Sequence, residues 1–315
     1  MTILLAFSAA GEKLKPQLIG KSAKPRCFKG VDKAAIPVTY RANRKAWMTG
    51  VLFKEWLQNL NNSMKVQGRN ILLFIDNCAA HPGLTMLNIK MVFLPPNMTS
   101  RLQLCDAGII AALKAHYRKR LMRHVLSEMD DAQTASQLSK RVDMLDAIRW
   151  VHLAWASVSD TTITKCFAKC GVGVEAPGDT EEVVVQQPEG PAYDTLLGTE
   201  SWADFVSMDN ATRTTDIISD DWESALITKA REDVLADGAS SEEDEQEEQA
   251  ELPPTVLTNR EALGRVNELV DYATRTGNAA MLDAVTTVQG LVQEHCIKQA
   301  TFAKQKSITD FFTAK

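Results

Sequence analysis

Residues 71–81 read ILLFIDNCAAH, an unbroken apolar run that stops at Asp76 and Asn77. Such a run is typical of a strand that is buried on both faces of an α/β sheet. A second apolar run, IKMVFL at residues 89–94, stops at a pair of prolines and predicts another strand. Because helical patterns precede and follow these two runs, the chain is predicted to belong to the α/β class.

The flanking sequence predicts the other elements of the same unit. Apolar residues 2–8 and 15–20 predict two strands of a hairpin. Residues 22–43 are basic, contain two prolines and are expected to be mostly loop. Apolar residues at helical spacing predict helices, which run from an Asn43 cap to about residue 60 and over residues 109–125, 138–157 and 161–169.

Composition changes after residue 171. We expect residues 1–171 to form one core and residues 172–257 to form an acidic, mostly disordered linker, because a run such as SSEEDEQEE repels itself and cannot bury a core. Two helical patterns separated by Thr276-Gly277-Asn278 predict a helical hairpin over residues 258–303. Residues 304–315 follow as a tail peptide.

The net charge of −5 conceals two opposite halves. Residues 1–150 carry 23 Lys and Arg against 10 Asp and Glu, whereas residues 151–315 carry 12 against 30. A basic core suggests a polyanion partner, because neutralising phosphates requires an excess of cations. The alternative is a solvated surface that binds nothing specific. The best candidates for nucleic-acid contact lie on one face of a long predicted helix: Lys114, Arg118, Lys119, Arg120 and Arg123.

Composition also excludes several classes of protein. With 45% hydrophobic and 24% charged residues, the chain is not collagen-like, fibrous or wholly disordered. It contains no run of about eighteen apolar residues, so no membrane-spanning helix is expected. Its apolar start lacks a basic region, which favours a strand over a signal peptide. Six cysteines without a regular framework indicate a reducing compartment, and Cys166 and Cys170 are expected to be buried thiols rather than zinc ligands.

Two carboxylates are placed where a metal could bind. Asp76 ends a predicted buried strand, and Asp106 lies thirty residues further on, at the start of a long predicted helix. The ends of neighbouring strands meet at one edge of an α/β sheet, where ligand sites cluster. The alternative is structural, with Asp76 in an Asx turn and Asp106 as a helix cap.

Several motifs together resemble those of the pogo/Tigger transposases, which are DDE superfamily endonucleases. The resemblance runs in order over residues 2–171. Its motifs are GKSAKPRCF at 20–28, KAWMT at 45–49, IDNCAAH at 75–81, LPPNMTS at 94–100 with Gln103 and Asp106, HYR at 116–118, LDAIRW at 145–150 and TITKCFAKCG at 162–171.

The resemblance implies a ribonuclease-H-like fold in which three aspartates bind Mg²⁺ or Mn²⁺. Asp76 and Asp106 match the second and third of these catalytic, metal-binding residues. Motif neighbours that support the site are Asn77, His81, Asn97 and Gln103. DNA is the implied partner and the nucleus is the implied location.

The family's first aspartate lies on a strand upstream of the segment that begins here at Thr2, as does its helix-turn-helix DNA-binding region. We therefore expect an incomplete sheet that lacks its first strand, and a core that neither cuts nor joins DNA on its own. Leu104 also stands where the family usually has proline. An alternative is an active nuclease whose missing carboxylate comes from a partner chain or an upstream segment.

The tail peptide contains Gln305, Ile308, Phe311 and Phe312 at the spacing of peptides that bind the DNA sliding clamp (PCNA). On a 3₁₀ turn, residues three apart project together, so Ile308 and the two phenylalanines would form an apolar plug. The alternative is a frayed helix end whose aromatic rings fold back onto the predicted hairpin. The spacing supports a second hypothesis for the whole chain, a non-enzymatic interaction protein recruited to the clamp.

Overall fold

The computed structural model describes residues 1–34, 36–94, 108–128, 142–171, 186–189, 191–198, 200–210, 212 and 257–299. These residues form a mixed α/β structure with two small sheets and several helices. None of the helices described there combines the length and hydropathy that crossing a bilayer requires.

The first sheet contains β1 (Thr2–Leu4), β2 (Gln17–Gly20) and β3 (Thr39–Ala42) in that order. The antiparallel pairing of β1 with β2 confirms the predicted hairpin. β3 lies parallel to β2 and was missed, because its residues fall within a basic, proline-containing segment that predicts a loop. The buried Val38, which precedes β3, fastens this segment to the core.

The second sheet contains β4 (Ile71–Ile75) and β5 (Ile89–Phe93), which pair in parallel with Ile71 opposite Ile89. The prediction that β4 is buried on both faces was wrong, because Leu72 is 59% exposed. One face of this sheet packs against a helix and the other face is partly exposed.

Helix α1 (Gly50–Val66) packs against both sheets. Its buried side chains Phe53 and Leu57 lie in one apolar cluster with residues of both sheets. The predicted Asn43 cap was wrong. Thr49 caps the helix by accepting the Leu52 N–H, while the Asn43 side chain bonds the Trp47 backbone and shapes the turn before it.

Three further helices follow: α2 (Ile110–Glu128), α3 (Met144–Ser157) and α4 (Asp160–Lys169). Asp143 caps α3 in a capping box with Asp146. The ammonium group of Lys13 closes the other end of α3, donating to the carbonyl oxygens of Trp155, Ala156 and Val158 at 3.2, 3.1 and 2.7 Å. A cation among the unpaired carbonyls at a helix end is stabilising.

Residues 191–210, which the sequence assigns to a linker, differ from that prediction. They form α5 (Pro191–Leu197) and α6 (Trp202–Ser207). Their apolar side chains are buried in a cluster with α2 and α3, which explains why this part of an otherwise polar region folds. The buried residues that they contribute are Tyr193, Leu196, Leu197 and Phe205.

The last two described helices are α7 (Asn259–Thr276) and α8 (Ala279–Gln299), which pack on each other. Gly277 joins them in a left-handed conformation, with φ of 66°. Helix α7 is tied to α3 by the pair Arg149–Asp271 at 2.7 Å, and Ile297 of α8 enters the cluster around α2.

Candidate functional site

Asp76 begins the turn that follows β4, at the carboxyl end of the parallel β4–β5 pair. The Ile75 carbonyl accepts the Leu94 N–H at 2.9 Å, so the two strand ends stay together. The chain then turns back so that the His81 N–H donates to the Cys78 carbonyl at 2.9 Å. This turn brings His81 Nδ1 to 2.6 Å from Asp76 Oδ1.

The Asp76–His81 pair is half-shielded from water, with 29% of the Asp76 side chain and 14% of the His81 side chain exposed. The His81 ring lies against Phe53 of α1 in a tilted arrangement, with 4.5 Å between ring centroids. The hydrogen bond from His81 lowers the pKa of Asp76 below its usual value, although burial opposes the shift. Asp76 is therefore an anion at neutral pH, and one of its oxygens is held by His81.

Asn77 takes a structural position beside this pair. Its side-chain amide donates to the Leu94 carbonyl at 3.2 Å, which joins the second residue after β4 to the first residue after β5. The hydrogen bond links the segments that follow the two strands. The motif in the sequence indicates Asn77 and His81 as site residues, but the direct contact of His81 with Asp76 follows only from the fold.

Asp106, Asn97 and Gln103 lie outside the described residues, so the predicted approach of Asp106 to Asp76 stays a prediction. Within the described ranges, no group of three or more His, Cys, Asp or Glu side chains could hold a metal ion. Asp76 fits a magnesium or manganese ion as one carboxylate ligand, because Mg²⁺ usually takes one or two carboxylates together with water and phosphate oxygens. A two-metal centre needs more carboxylates than this part of the chain brings together.

Most cations on the predicted basic face of α2 form ion pairs or hydrogen bonds with other parts of the protein. Lys114 lies 3.0 Å from Asp209 and 2.6 Å from the Asn210 side-chain oxygen. Arg118 lies 3.4 Å from the same Asp209, and its guanidinium group is 5.1 Å above the Phe205 ring. The signal for this arrangement in the sequence is an acidic turn that follows aromatic residues. Composition alone did not distinguish this turn from a linker.

Two other cations of this face also have partners within the protein. Arg123 pairs with Glu294 of α8. Arg120 donates to the His116 carbonyl and to the Ser157 hydroxyl, both at 3.1 Å. Burial, followed by the charge of Arg123, lowers the pKa of Arg120 to about 10. Lys119, like the other four, is only partly exposed.

The clamp-binding candidates Gln305, Ile308, Phe311 and Phe312 lie outside the described residues. Cys166 and Cys170 are buried free thiols, and burial raises the pKa of both. A raised pKa keeps a thiol protonated and unreactive at neutral pH. Both cysteines therefore serve the core.

Comparison with known proteins places this geometry in context. The family model described as DDE superfamily endonuclease matches residues 1–167. The chain is similar to the Tigger transposable element-derived protein 4 of Mus musculus, with 36% identity over 173 residues that cover 54% of this chain and 32% of that protein. It is 30% identical to the Major centromere autoantigen B of Homo sapiens over 176 residues, which are 55% of this chain and 28% of that protein.

A longer match extends past the core. The CENP-B homolog protein 2 of Schizosaccharomyces pombe is 25% identical over 316 aligned positions, which cover 92% of this chain and 57% of that protein. The chain therefore spans less than two thirds of the length of each of these three relatives. No solved structure matches the chain significantly.

Proposed function

The chain belongs to the DDE superfamily endonuclease family, and on this premise we propose that it is a transposable-element-derived protein whose core binds DNA without cutting it. The observation that carries the proposal is that the family match and the positive charge coincide. The match covers residues 1–167, and residues 1–150 carry 23 Lys and Arg against 10 Asp and Glu. The similarity to a Tigger transposable element-derived protein supports the same origin.

We propose a ribonuclease-H-like arrangement for this core. The parallel pair β4–β5, backed by α1 and ending at Asp76, is consistent with that fold. Among the described strands, β4 pairs only with β5, and β1 to β3 form a separate sheet.

Asp76 would hold a divalent ion together with Asp106, and His81 would orient the Asp76 carboxylate. A bound Mg²⁺ or Mn²⁺ would polarise a phosphate oxygen of DNA. Asp76 would supply one carboxylate of this set. Asp76 is then an inherited ligand whose hydrogen bond to His81 keeps it ionised and in place.

DNA binding is tested with the full chain and a labelled duplex of random sequence. We expect affinity to fall steeply between about 50 mM and about 200 mM salt, because phosphate contacts release counterions. Random and chosen sequences should bind alike, since backbone contacts carry no sequence information. Affinity that does not depend on salt, or no binding at low salt, would contradict the proposal.

Cleavage is tested with supercoiled plasmid in the presence of Mg²⁺ or Mn²⁺. The wild-type chain should leave the plasmid intact, and Asp76→Ala should behave in the same way. Nicking by the wild-type chain that disappears in Asp76→Ala would show a working metal centre and overturn the non-cleaving part of the proposal. Nicking that persists in Asp76→Ala would indicate a contaminating nuclease.

A second candidate function follows from the tail peptide. Gln305, Ile308, Phe311 and Phe312 match the clamp-binding spacing at every position, and both this tail and DNA binding would suit a nuclear protein. We expect a peptide of residues 300–315 to bind the sliding clamp, and the double substitution Phe311→Ala/Phe312→Ala to abolish binding. Equal binding by the two peptides would remove this candidate.

A further inference from the structure

The segment that leaves β2 and runs through β3 to Lys45 is rich in positive charge. Residues 21–45 contain eight Lys and Arg and a single acid, Asp32. Arg41 is half-buried against Glu55, but the other seven cations are exposed. We call these seven the loop surface: Lys21, Lys24, Arg26, Lys29, Lys33, Arg44 and Lys45.

The sheet brings the residues that follow β2 and the residues that follow β3 to one place. β2 and β3 are parallel, with Gly20 opposite Ala42, so both strands end at the same edge. The Asn43 N–H donates to the Gly20 carbonyl at 3.0 Å and extends this pairing by one residue. Lys21 therefore leaves the sheet beside the segment that carries Arg44 and Lys45.

The loop is anchored rather than loosely attached. Phe28 is buried with its ring centroid 4.8 Å from that of Tyr40, and Ile36 and Val38 are each only 1% exposed. The Tyr40 hydroxyl donates to the Ser22 carbonyl at 2.7 Å. A backbone held in place loses less conformational freedom on binding than a mobile loop does.

The nearby carboxylates already have partners of their own. Asp32 accepts the Ala34 N–H at 2.9 Å, and Asp143 caps α3. Asp271 pairs with Arg149 at 2.7 Å. The exposed Arg275 of α7 adds a further cation, since it donates to the Lys29 carbonyl at 3.2 Å. By count, the seven cations of the loop surface exceed the single acid of their own segment, Asp32.

The chemistry of this surface fits the phosphates of a duplex. Its aromatic rings are not available to stack on bases, because Phe28 is buried against Tyr40, and Lys45 covers the Trp47 ring at 4.8 Å. Proteins that bind single strands combine basic grooves with open aromatic platforms. Cations without such platforms favour the backbone of double-stranded DNA.

We propose that the loop surface, rather than the basic face of α2, is the principal phosphate-contacting surface of the chain, and that its ligand is the backbone of duplex DNA. The inference deepens the proposed DNA binding and rests on it. In this proposal, the cations that contact phosphates are the exposed ones of the core. It also gives the basic face of α2 a structural role.

The test is the salt dependence of duplex binding by the full chain. The triple variant Lys21→Gln/Arg26→Gln/Lys29→Gln removes three exposed cations of the loop surface. The control Lys54→Gln/Lys65→Gln/Lys90→Gln removes three exposed cations elsewhere, so both variants carry the same net charge. Fluorescence anisotropy with a labelled duplex gives the slope of log affinity against log salt, and circular dichroism checks folding.

We expect the loop variant to reduce the slope by about 3, because each lost phosphate contact removes about one unit. Its affinity near 100 mM salt should fall at least about tenfold, while the control keeps the wild-type slope. Equal slopes for the loop variant and the control, with a salt-dependent wild-type chain, would overturn this inference and leave DNA binding intact. A wild-type chain that does not bind would overturn both. Tighter binding to a single strand than to a duplex would reject the duplex as ligand.

Discussion

Helix α2 and the loop between β2 and β3 are both rich in basic residues, but the fold treats them differently. On α2, Lys114 and Arg118 share Asp209, and Arg123 pairs with Glu294. In the loop, Lys21 and Lys29 are exposed. The difference follows from position. Helices α5, α6 and α8 pack over α2, whereas the loop begins where β2 leaves its sheet and its cations are exposed. Positive charge in a sequence therefore stays available to a ligand only where nothing folded covers it.

The largest expected effect comes from reversing a covered charge. Arg118→Glu places a carboxylate beside Asp209 at a side chain that is 12% exposed in the wild type. We expect a loss of about 2 kcal/mol in the free energy of unfolding, because breaking a shielded pair leaves a charge uncompensated. Urea unfolding followed by circular dichroism measures it.

The matched control is Lys29→Glu in the loop, which should change the free energy of unfolding by less than about 0.5 kcal/mol. Similar losses in the two variants would mean that the loop is as integrated as α2, and the comparison would fail.

The cations that surround His116 on α2 should also make the stability of the protein depend on pH. Burial, followed by the charges of Arg120 and Lys119, lowers the pKa of His116 from 6.5 to about 4. Between these values the unfolded chain binds a proton that the folded chain does not, so stability falls as the pH drops through this window. His116→Gln should remove this loss, which we expect to be about 1 kcal/mol in the free energy of unfolding near pH 5. Parallel stability profiles for both proteins would rule out this source.

A smaller effect on the free energy of unfolding is expected from Asp209, the acid that pairs with the cations of α2. Burial raises the pKa of Asp209, but the hydrogen bond and charge of Lys114 and the charge of Arg118 outweigh it, so the pKa lies below its usual value. Its contribution is present at neutral pH and is lost as the pH falls through that lowered pKa. Asp209→Asn should cost about 1 kcal/mol near pH 7. Asp32→Asn in the loop, which retains an acceptor oxygen, serves as the control, and equal costs would contradict the assignment.

The smallest expected effect concerns DNA itself. Lys119→Gln on α2 should leave the salt slope of duplex binding unchanged, whereas Lys29→Gln in the loop should reduce it by about 1. Anisotropy titrations at several salt concentrations measure both slopes. A reduction by Lys119→Gln alone would return the binding surface to α2.

Sequence reasoning predicted much of the core because its signals are local. The apolar runs of β4 and β5, the β1–β2 hairpin and helix α4 all follow from periodicity and the residues that stop it. Asp76 was placed correctly at the end of β4 for the same reason.

The features that sequence could not predict depend on distant partners. β3 forms because parallel pairing with β2 outweighs a weak local pattern, and the exposed Leu72 on β4 depends on which layer covers which face. Likewise, Arg118 pairs with Asp209, which lies ninety-one positions away in the chain. The predicted roles of Asp106 and Phe311 lie outside the described residues and stay predictions.

Helix α1 has a consequence for how this core assembles. It follows the first sheet and precedes the second along the chain, yet its apolar side packs against both. Neither sheet can complete its burial until this one helix is in place, so order should spread from α1 in both directions. Hydrogen exchange should therefore find the slowest amides of residues 1–94 in α1 and the strands it touches, opening as a single cooperative unit.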